Sequence, residues 1–419
     1  MFLTKGRLRL YLGALLLLQI VTCARLLPFA RAGQTDFRTF YTAGHMLRTG
    51  ADFYNYDSEL SQQSALVSPN GYALPFMSPP YTALLFVPFS LVRYWPAYLL
   101  FAALNLCLCA IAIKIMRPQL PSLNARWRPL TPLLFLSFMP LAVALTLGQV
   151  SILLLLLYCA CFAAMQSSKP FLAGILLSLA LIKFQVALPI AFLFLLWRQW
   201  RFLTGFLTGA TSLSLLSILI TGPRAFEAYG RSLFLMSHAA SNAAGEAKYG
   251  MFPAQMPNLY GFFHTLSSGA PWGVALTILC SLFVLFWAAR QKPSLPLALL
   301  AAILVSYHLY LYDLTLLLLP MTLVFNQNVD SLLRGRQSGA FYASVFLQLG
   351  AFWGSFLWFD SHYLVAIPIT ILFACLVPIE TPQQTAIPRP ELRRSQPKTS
   401  QDCSSSFLDS LLQPRFHSP

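Results

Sequence analysis

A polar stretch with residues suited to chemistry follows the first hydrophobic segment of the chain. Residues 35–57 read TDFRTFYTAGHMLRTGADFYNYD, which sets one aspartate, Asp36, among arginines, a histidine and tyrosines. A carboxylate next to a cavity in a membrane is suited to remove the proton of a hydroxyl group as a general base. Asp36 also stands where the N-cap of a helix would stand, a role that needs no chemistry. The residue types alone leave both roles open.

Four further polar residues interrupt later hydrophobic runs. They are Gln149 in LGQVS, Lys183 in LIKFQ, and His308 and Asp313 in SYHLYLYDLTLL. Lysine and histidine donate charge-assisted hydrogen bonds to phosphate oxygens, so Lys183 and His308 are candidates for binding a phosphate group. Simpler roles also fit these two: Lys183 could extend to the interface, and His308 could belong to an aromatic belt. Asp313 could cap the next helix, and Gln149 could satisfy backbone groups at a hairpin tip.

The composition indicates the class of protein that must position these residues. Of 419 residues, 57% are hydrophobic and only 10% are charged. A soluble fold cannot bury so much apolar surface, and the apolar runs are long blocks without strand-like alternation, so we predict an all-α polytopic membrane protein. The net charge of +15 comes from Lys and Arg scattered between apolar blocks, which is typical of topology signals. We therefore expect a lipid bilayer, and no nucleic acid, as partner.

The basic clusters predict how the chain crosses the bilayer. Alternating sides from the basic N-terminus gives about twelve transmembrane helices, with both ends of the chain in the cytoplasm. It also predicts a single transmembrane domain over residues 1–379 with large outer segments at about 28–79 and 222–271. Residues 380–419 are rich in Pro, Ser and Gln and predict a disordered cytoplasmic tail. We expect a multi-pass protein of the plasma (cytoplasmic or inner) membrane whose polar residues face the outer or periplasmic side.

Residues 170–197 present a topological problem. They lie between Lys169 and the cluster WRQWR, both of which are expected inside. The stretch must therefore go out and back as two short helices or not cross at all. We favour two short helices that meet at LIKFQ.

The stretch after Asp36 has the pattern of an interfacial helix. Apolar residues recur at helical spacing and polar residues share the opposite face, which predicts an amphipathic helix lying at the membrane surface. Asp36 would precede this helix and Gly50 would end it. The apolar positions are Phe37, Phe40, Tyr41, Gly44 and Leu47, and the polar positions are Arg38, Thr42, His45 and Thr49.

An ordered set of motifs resembles glycosyltransferase family 87, of the GT-C superfamily. The motifs are DFRTFYTAGHMLRTGADFYNYD at 36–57, SPPYTALLFVPFSLV at 78–92, LGQVSILLLLL at 147–157, LAGILLSLALIKFQVALPIAFLFLLWRQWR at 172–201, MPNLYGFF at 256–263 and YHLYLYDLTLLLLP at 307–320. Their order and spacing cover most of residues 10–330. The resemblance implies a GT-C-type transmembrane fold with interfacial helices in the first outer loop.

The resemblance also implies an activity. Family members of this kind are α-mannosyltransferases that take a sugar from a polyprenyl-phosphate donor, with the aspartate of the first outer loop as catalytic base, which here is Asp36. A late histidine, matched by His308, and a recurrent lysine, matched by Lys183, would bind the donor phosphate. We place Gln149, Tyr41 and Arg38 in the same substrate-binding set.

The expected reaction is transfer of a hexose, mannose by analogy, to a lipid-linked or glycan acceptor. A single carboxylate suits an inverting mechanism, since a retaining enzyme needs a second carboxylate as nucleophile. The first outer loop has no Asp-x-Asp pair, so we expect no metal, and no cofactor is implied.

Two other function classes remain as alternatives. A lipid or solute transporter would place ionisable residues near the bilayer midplane and often shows repeated halves, whereas here these residues gather at one predicted face. A sugar polymerase or ligase using a diphosphate-linked donor would carry its cationic cluster in a late loop.

Overall fold

The computed structural model describes residues 5–67, 74–239, 250–329, 338–350, 352–353 and 359–376. Within these ranges the chain is almost entirely helical and contains no β-strand. The predicted all-α class is therefore confirmed. The predicted tail, residues 380–419, lies outside the described residues.

The described residues up to Leu179, just before LIKFQ, form ten α-helices. They are α1 (Lys5–Arg31), α2 (Phe37–Thr49), α3 (Tyr56–Leu66), α4 (Pro80–Leu84), α5 (Tyr94–Met116), α6 (Pro121–Arg126), α7 (Leu130–Leu136), α8 (Met139–Leu147), α9 (Ser151–Gln166) and α10 (Pro170–Leu179). Short 3₁₀ segments lie at Phe89–Leu91, Arg117–Gln119 and Ala180–Lys183.

The second half continues with helices of similar composition. They are α11 (Phe184–Leu196), α12 (Trp200–Thr221), α13 (Pro223–Ala239), α14 (Leu259–Leu266), α15 (Pro271–Ala289), α16 (Leu295–Val305), α17 (Leu318–Asn328), α18 (Gly339–Leu349) and α19 (Ala366–Cys375). Further 3₁₀ segments lie at Pro253–Gln255, Leu311–Leu317 and Phe359–Val365.

The predicted count of about twelve spans is not confirmed. Five helical stretches in the described part of the chain are long and apolar enough to cross a membrane, and a sixth results if α7 and α8, bent by 56° at their junction, form one broken span. By length and composition alone these stretches are Gly6–Arg31, Tyr94–Gln119, Pro170–Leu196, Trp200–Thr221 and Pro271–Ala289, of which Pro170–Leu196 folds back on itself. Not every apolar run forms a helix of spanning length: α16 has only 11 residues, about 17 Å of helix, and is apolar on all sides and buried in the protein.

The stretch Pro170–Leu196 reverses its direction at the 3₁₀ segment Ala180–Lys183. The start of α10 lies against the start of α12: the Gly174 backbone contacts that of Phe202, and the Gly205 backbone contacts that of Phe171, with no room for a side chain at either glycine. A straight helix of 27 residues would hold its ends about 40 Å apart and would prevent these contacts. The contacts thus support the predicted pair of short helices, with Lys183 at their junction.

Helix α2 has the predicted bounds but not the predicted surroundings. It ends at Thr49, and Gly50 follows in the left-handed conformation with φ 73°. Both faces are largely covered, however, because α3, α4, α5 and Phe89–Leu91 all pack against it. Arg38 and Thr42, expected on an exposed polar face, are buried. The helix therefore belongs to the interior wall of the domain and is not a surface helix.

Helices α12 and α15 carry the apolar surface expected of lipid contact. Leu207 and Leu219 on α12 are 61% and 83% exposed, and Leu279 and Phe283 on α15 are 62% and 65% exposed. Such large apolar side chains in contiguous rows favour lipid over water as their surroundings.

Candidate active site

Asp36 is held by a residue from a distant part of the chain. Its Oδ2 accepts a 2.6 Å hydrogen bond from Nε2 of Gln149. The residue directly precedes α2, but its backbone is helical, with φ −63° and ψ −22°, and its side chain makes no capping hydrogen bond. The N-cap role considered from the sequence is therefore wrong, and the carboxylate is directed to Gln149.

The turn between α8 and α9 places Gln149. Gly148 ends α8 in the left-handed conformation, with φ 66°, and the side chain of Phe37 packs so closely on it that a larger residue would collide. Gln149 follows immediately and is buried, with 5% of its surface exposed. Its Oε1 is buried and has no hydrogen-bond partner among the residues that the structure describes. The turn is thus built so that one end of the amide contacts Asp36 and the other is available to another group.

Lys183 and Asp313 form a buried ion pair. The Lys183 ammonium donates to Oδ1 of Asp313, and the two side chains are 11% and 1% exposed. The same Oδ1 accepts a 2.6 Å hydrogen bond from Oγ of Ser151, the first residue of α9. Oδ2 of Asp313 accepts from the backbone N–H of Tyr310 at 3.3 Å, which completes a capping box at the start of the 3₁₀ segment Leu311–Leu317 rather than capping the following helix, α17. Asp313 therefore caps its 3₁₀ segment and binds Lys183 as well.

His308 lies in the irregular segment between α16 and Leu311–Leu317. Its Nδ1 is 3.0 Å from Sδ of Met251, and its ring packs edge-on against that of Tyr310. Burial, reinforced by the nearby Lys183 charge, lowers the pKa of His308 to about 4, while Asp313 acts in the opposite direction. The ring is therefore neutral at pH 7, so it acts as a hydrogen-bonding group and not as a cation.

One cavity joins these side chains. It has a volume of about 350 Å³, within the range of small-molecule sites, and Asp36, Gln149, Lys183 and His308 all line it. Other parts of the wall come from helix α2, residues 74–78, the end of α8, residues 182–185, residues 250–255, residues 307–312, Leu233 and His362. Among the described lining residues, Asp36 is the sole carboxylate and Lys183 the sole lysine or arginine.

The environment of Asp36 favours its protonated form. Burial raises the pKa of Asp36, and the hydrogen bond from Gln149 and the positive charges of Lys183 and Arg38 offset part of that rise; the Asp313 charge adds to it. A carboxylate with a raised pKa is a stronger base once it is ionised. The arrangement suits proton removal from a hydroxyl group in the cavity.

Two residues of the expected substrate-binding set lie behind the wall. Tyr41 is buried in the aromatic cluster around Phe37, and its hydroxyl donates to the carbonyl of Val92 at 2.8 Å. Arg38 is buried next to Asp36 and does not line the cavity either. Their positions suit support of α2 rather than direct substrate contact.

Several cavity residues were not singled out from the sequence. Met251 contacts His308, and the Gln185 amide donates to the His308 carbonyl at 3.2 Å. The hydroxyl of Tyr310 donates to the carbonyl of Gly250 and so fixes residues 250–252 next to His308. Ser151, two residues after Gln149 in the motif LGQVS, does not line the cavity but donates to Asp313 behind it; a buried hydroxyl in an apolar run is the signal that could have pointed to it.

No metal site forms within the part of the chain that the structure describes. There, no three His, Cys, Asp or Glu side chains come together in a way that could hold an ion.

The family comparison gives one match. The family model "Glycosyltransferase family 87" matches residues 76–320, which is more than half of the 419-residue chain. Gln149, Lys183, His308 and Asp313 lie inside the matched range, whereas Asp36 precedes it. No curated protein and no solved structure matches the chain significantly.

Proposed function

The chain belongs to glycosyltransferase family 87, and from this premise we propose that it transfers a hexose, with mannose as first choice, from a polyprenyl-phosphate-sugar donor to a lipid-linked or glycan acceptor. Asp36 is the general base, and the anomeric carbon is inverted. Family membership makes the protein a membrane glycosyltransferase. Donor, sugar, acceptor and base are the proposed parts.

The observation that supports this proposal best is that a hydrogen-bonded carboxylate faces the same cavity as a lysine. In the reaction, the acceptor hydroxyl loses its proton to Asp36 while its oxygen forms a bond to the anomeric carbon. The bond from that carbon to the phosphate oxygen breaks, and the electron pair leaves with the polyprenyl phosphate. This displacement needs one base that takes the proton of the acceptor hydroxyl and one cation that stabilises the leaving phosphate.

The scarcity of carboxylates in the cavity favours inversion. A retaining mechanism needs a second carboxylate close to the anomeric carbon as nucleophile. Asp313, the second carboxylate in the vicinity, is 1% exposed, does not line the cavity and is engaged by Lys183. It is poorly placed to attack a sugar.

Lys183 and His308 are the proposed ligands of the donor phosphate. Lys183 supplies a positive charge, and neutral His308 supplies a hydrogen-bond donor whose protonation an arriving phosphate would favour. Because the exposed helices of the domain present apolar surface to lipid, the polyprenyl chain of the donor stays in the bilayer next to them. We place the reaction on the outer face of the plasma membrane, in line with the distribution of basic clusters.

Family membership favours this function over transport. A polymerase or ligase that uses a diphosphate-linked donor is also a sugar transferase, so it is distinguished by the donor. A diphosphate donor carries more negative charge at its phosphates, for which the described cavity wall offers a single lysine.

The test is a transfer assay with the purified protein in lipid nanodiscs. The protein is incubated with polyprenyl-phosphate-mannose and a panel of glycolipids, and the products are analysed by mass spectrometry. We expect a mass increase of one hexose with wild-type protein and none with Asp36→Asn. Transfer from polyprenyl-diphosphate-sugars alone would replace this proposal by the polymerase or ligase alternative.

A further inference from the structure

Two carboxylates lie within electrostatic reach of one lysine. Lys183 makes its ion pair with Asp313, yet its charge also acts on the carboxyl of Asp36, and both Lys183 and Asp36 line the same cavity. Asp36 is instead hydrogen-bonded to the neutral amide of Gln149. The partner of Lys183 matters, because an ion pair between Lys183 and Asp36 would make the carboxylate of Asp36 a weaker base.

Asp313 is fixed in a way that decides this competition. Ser151 donates to the oxygen that binds Lys183, and the backbone of Tyr310 donates to the other oxygen. These two bonds attach the carboxylate to α9 and to its own 3₁₀ segment, both in the interior. The ring of Tyr312 adds a further contact, with Nζ of Lys183 4.6 Å from the ring centroid. The ammonium of Lys183 is thus held between the buried carboxylate of Asp313 and the ring of Tyr312, which lines the cavity.

We propose that Asp313 is a positioning residue that holds Lys183 away from Asp36, so that the base keeps a free electron pair and the ammonium faces the donor phosphate. This inference rests on the proposed function and adds the role of Asp313 and Ser151 to it. Both residues act through Lys183, and neither touches substrate.

The charged and titratable groups around Asp36 define what loss of Asp313 would do. Lys183 and Arg38 stabilise its ionised form, Asp313 opposes it, and Tyr94 and Tyr312 are the neighbouring phenols. An opposite charge within about 4–6 Å lowers the pKa of a carboxyl by roughly 1–3 units. If Lys183 moved from Asp313 to Asp36, the base would therefore protonate at a lower pH and become weaker.

The experiment is an infrared pH titration of the full-length protein in nanodiscs without substrate. The absorption of protonated carboxyl groups is recorded, and the Asp36 band is assigned by its loss in Asp36→Asn. We expect Asp313→Asn to move the Asp36 midpoint to lower pH by about one unit or more. Asparagine still accepts a hydrogen bond from Tyr310, so the cap is retained.

Removal of the Asp313 charge would itself act on Asp36, so the same substitution is repeated in a Lys183→Met background. If Asp313 acts by holding Lys183, its substitution should shift the midpoint less than half as far in that background. Equal shifts in both backgrounds, or no shift in either, would overturn the proposal.

Two further variants guard against misfolding and nonspecific effects. Ser151→Ala leaves every charge in place and loosens Asp313, so we expect a smaller shift in the same direction, and no shift would contradict the proposal. Thr315→Ala removes a buried hydroxyl of the same 3₁₀ segment that donates to the carbonyl of Tyr312 at 2.7 Å, and should leave the midpoint unchanged.

The titration tests the positioning role and the transfer assay tests the proposed function, so a negative result in one can be told apart from a negative result in the other. Because the titration needs no donor, an unchanged midpoint in an enzyme that transfers hexose overturns the positioning role alone. A wild-type protein that transfers from no polyprenyl-phosphate-sugar removes the proposed function and, with it, the phosphate-facing part of the inference.

Discussion

Gln149 donates from Nε2 to Oδ2 of Asp36 across 2.6 Å, although 113 residues separate the two along the chain. The bond connects the turn between α8 and α9 with the residue that precedes α2. It orients the carboxylate into the cavity and leaves Oε1 of Gln149 buried without a hydrogen-bond partner among the described residues. Nε2 of Gln149 therefore contacts the proposed base, and Oε1 of the same amide can accept a hydrogen bond from another group close to that base.

Replacement of Gln149 should change the pH dependence of the reaction. The hydrogen bond from Gln149 lowers the pKa of Asp36, so its loss in Gln149→Leu should raise that pKa further. Activity is lost as pH falls and the base becomes protonated, so the acid limb of kcat/KM should move to higher pH. We expect kcat to fall about tenfold at pH 7, in line with the loss of a hydrogen bond to a charged group.

The measurement is a pH–rate profile of the wild type and Gln149→Leu. Gln199→Leu is a suitable control, because Gln199 lies in the turn before α12 and does not line the cavity. An acid limb that stays in place in Gln149→Leu would show that the bond does not act on the base.

Lys183 and His308 should affect use of the donor. A lost hydrogen bond between charged groups costs about 1.5–3 kcal/mol, so Lys183→Met should raise the donor KM roughly 10- to 100-fold. His308→Leu, which removes a neutral donor, should raise it about 2- to 10-fold. Initial rates at varied donor concentration test this, with exposed Lys169→Met as control. A rise in acceptor KM instead would assign these residues to the acceptor.

His308 should also make stability depend on pH. The pKa of His308 is about 4 in the folded protein, below its ordinary value of 6.5, because burial and the charge of Lys183 disfavour the protonated ring. The unfolded chain therefore binds the additional proton first, and stability should decline as pH falls from about 6.5 to 4. His308→Gln lacks this proton site, so its melting temperature should depend less on pH in that window. Thermal unfolding in detergent, with His264→Gln as control, tests the difference.

The location of the site relative to the membrane can be tested by labelling. Asn55 and Arg128 are both exposed and lie on sides that the basic clusters predict to be opposite. In a cysteine-free background, Asn55→Cys should react with a membrane-impermeant maleimide in intact cells, and Arg128→Cys only after permeabilisation. The reverse pattern would place the cavity on the cytoplasmic side.

The sequence predicts which polar residues lie close together better than it predicts the number of spans. Alternation of basic clusters suggested that Asp36, Gln149, Lys183 and His308 share one face, and the structure brings all four to one cavity. The span count is not confirmed, because an apolar run such as α16 is short and covered by protein, and hydropathy reports burial without distinguishing protein from lipid.

Pairings between distant elements could not be read from the sequence. Asp313 fits the pattern of a helix cap, and it caps its own 3₁₀ segment, but its bond with Ser151 depends on how α9 packs against Leu311–Leu317. For Asp36 the reverse applies: its position predicts a cap, yet Gln149 binds its side chain. Local propensity describes the backbone around such residues, whereas their partners are set by tertiary packing.

Asp36→Asn separates catalysis from structure most directly. Asparagine has the same size and keeps an oxygen that accepts the hydrogen bond from Gln149, and Asp36 makes no capping bond that could be lost. The variant should therefore fold normally, as judged by its melting temperature. Because the amide cannot take the acceptor's proton, hexose transfer should fall about 10²- to 10⁴-fold.

The matched control for this substitution is Asp57→Asn, in the first turn of α3. Asp57 is exposed, belongs to the same predicted outer segment and does not line the cavity, so this variant should retain wild-type turnover. Single-turnover rates at saturating donor, measured for both variants at pH 7, exclude effects of donor affinity. An Asp36→Asn protein that keeps more than about a third of wild-type turnover lies far above the range for a lost base, and Asp36 would then only orient the start of α2.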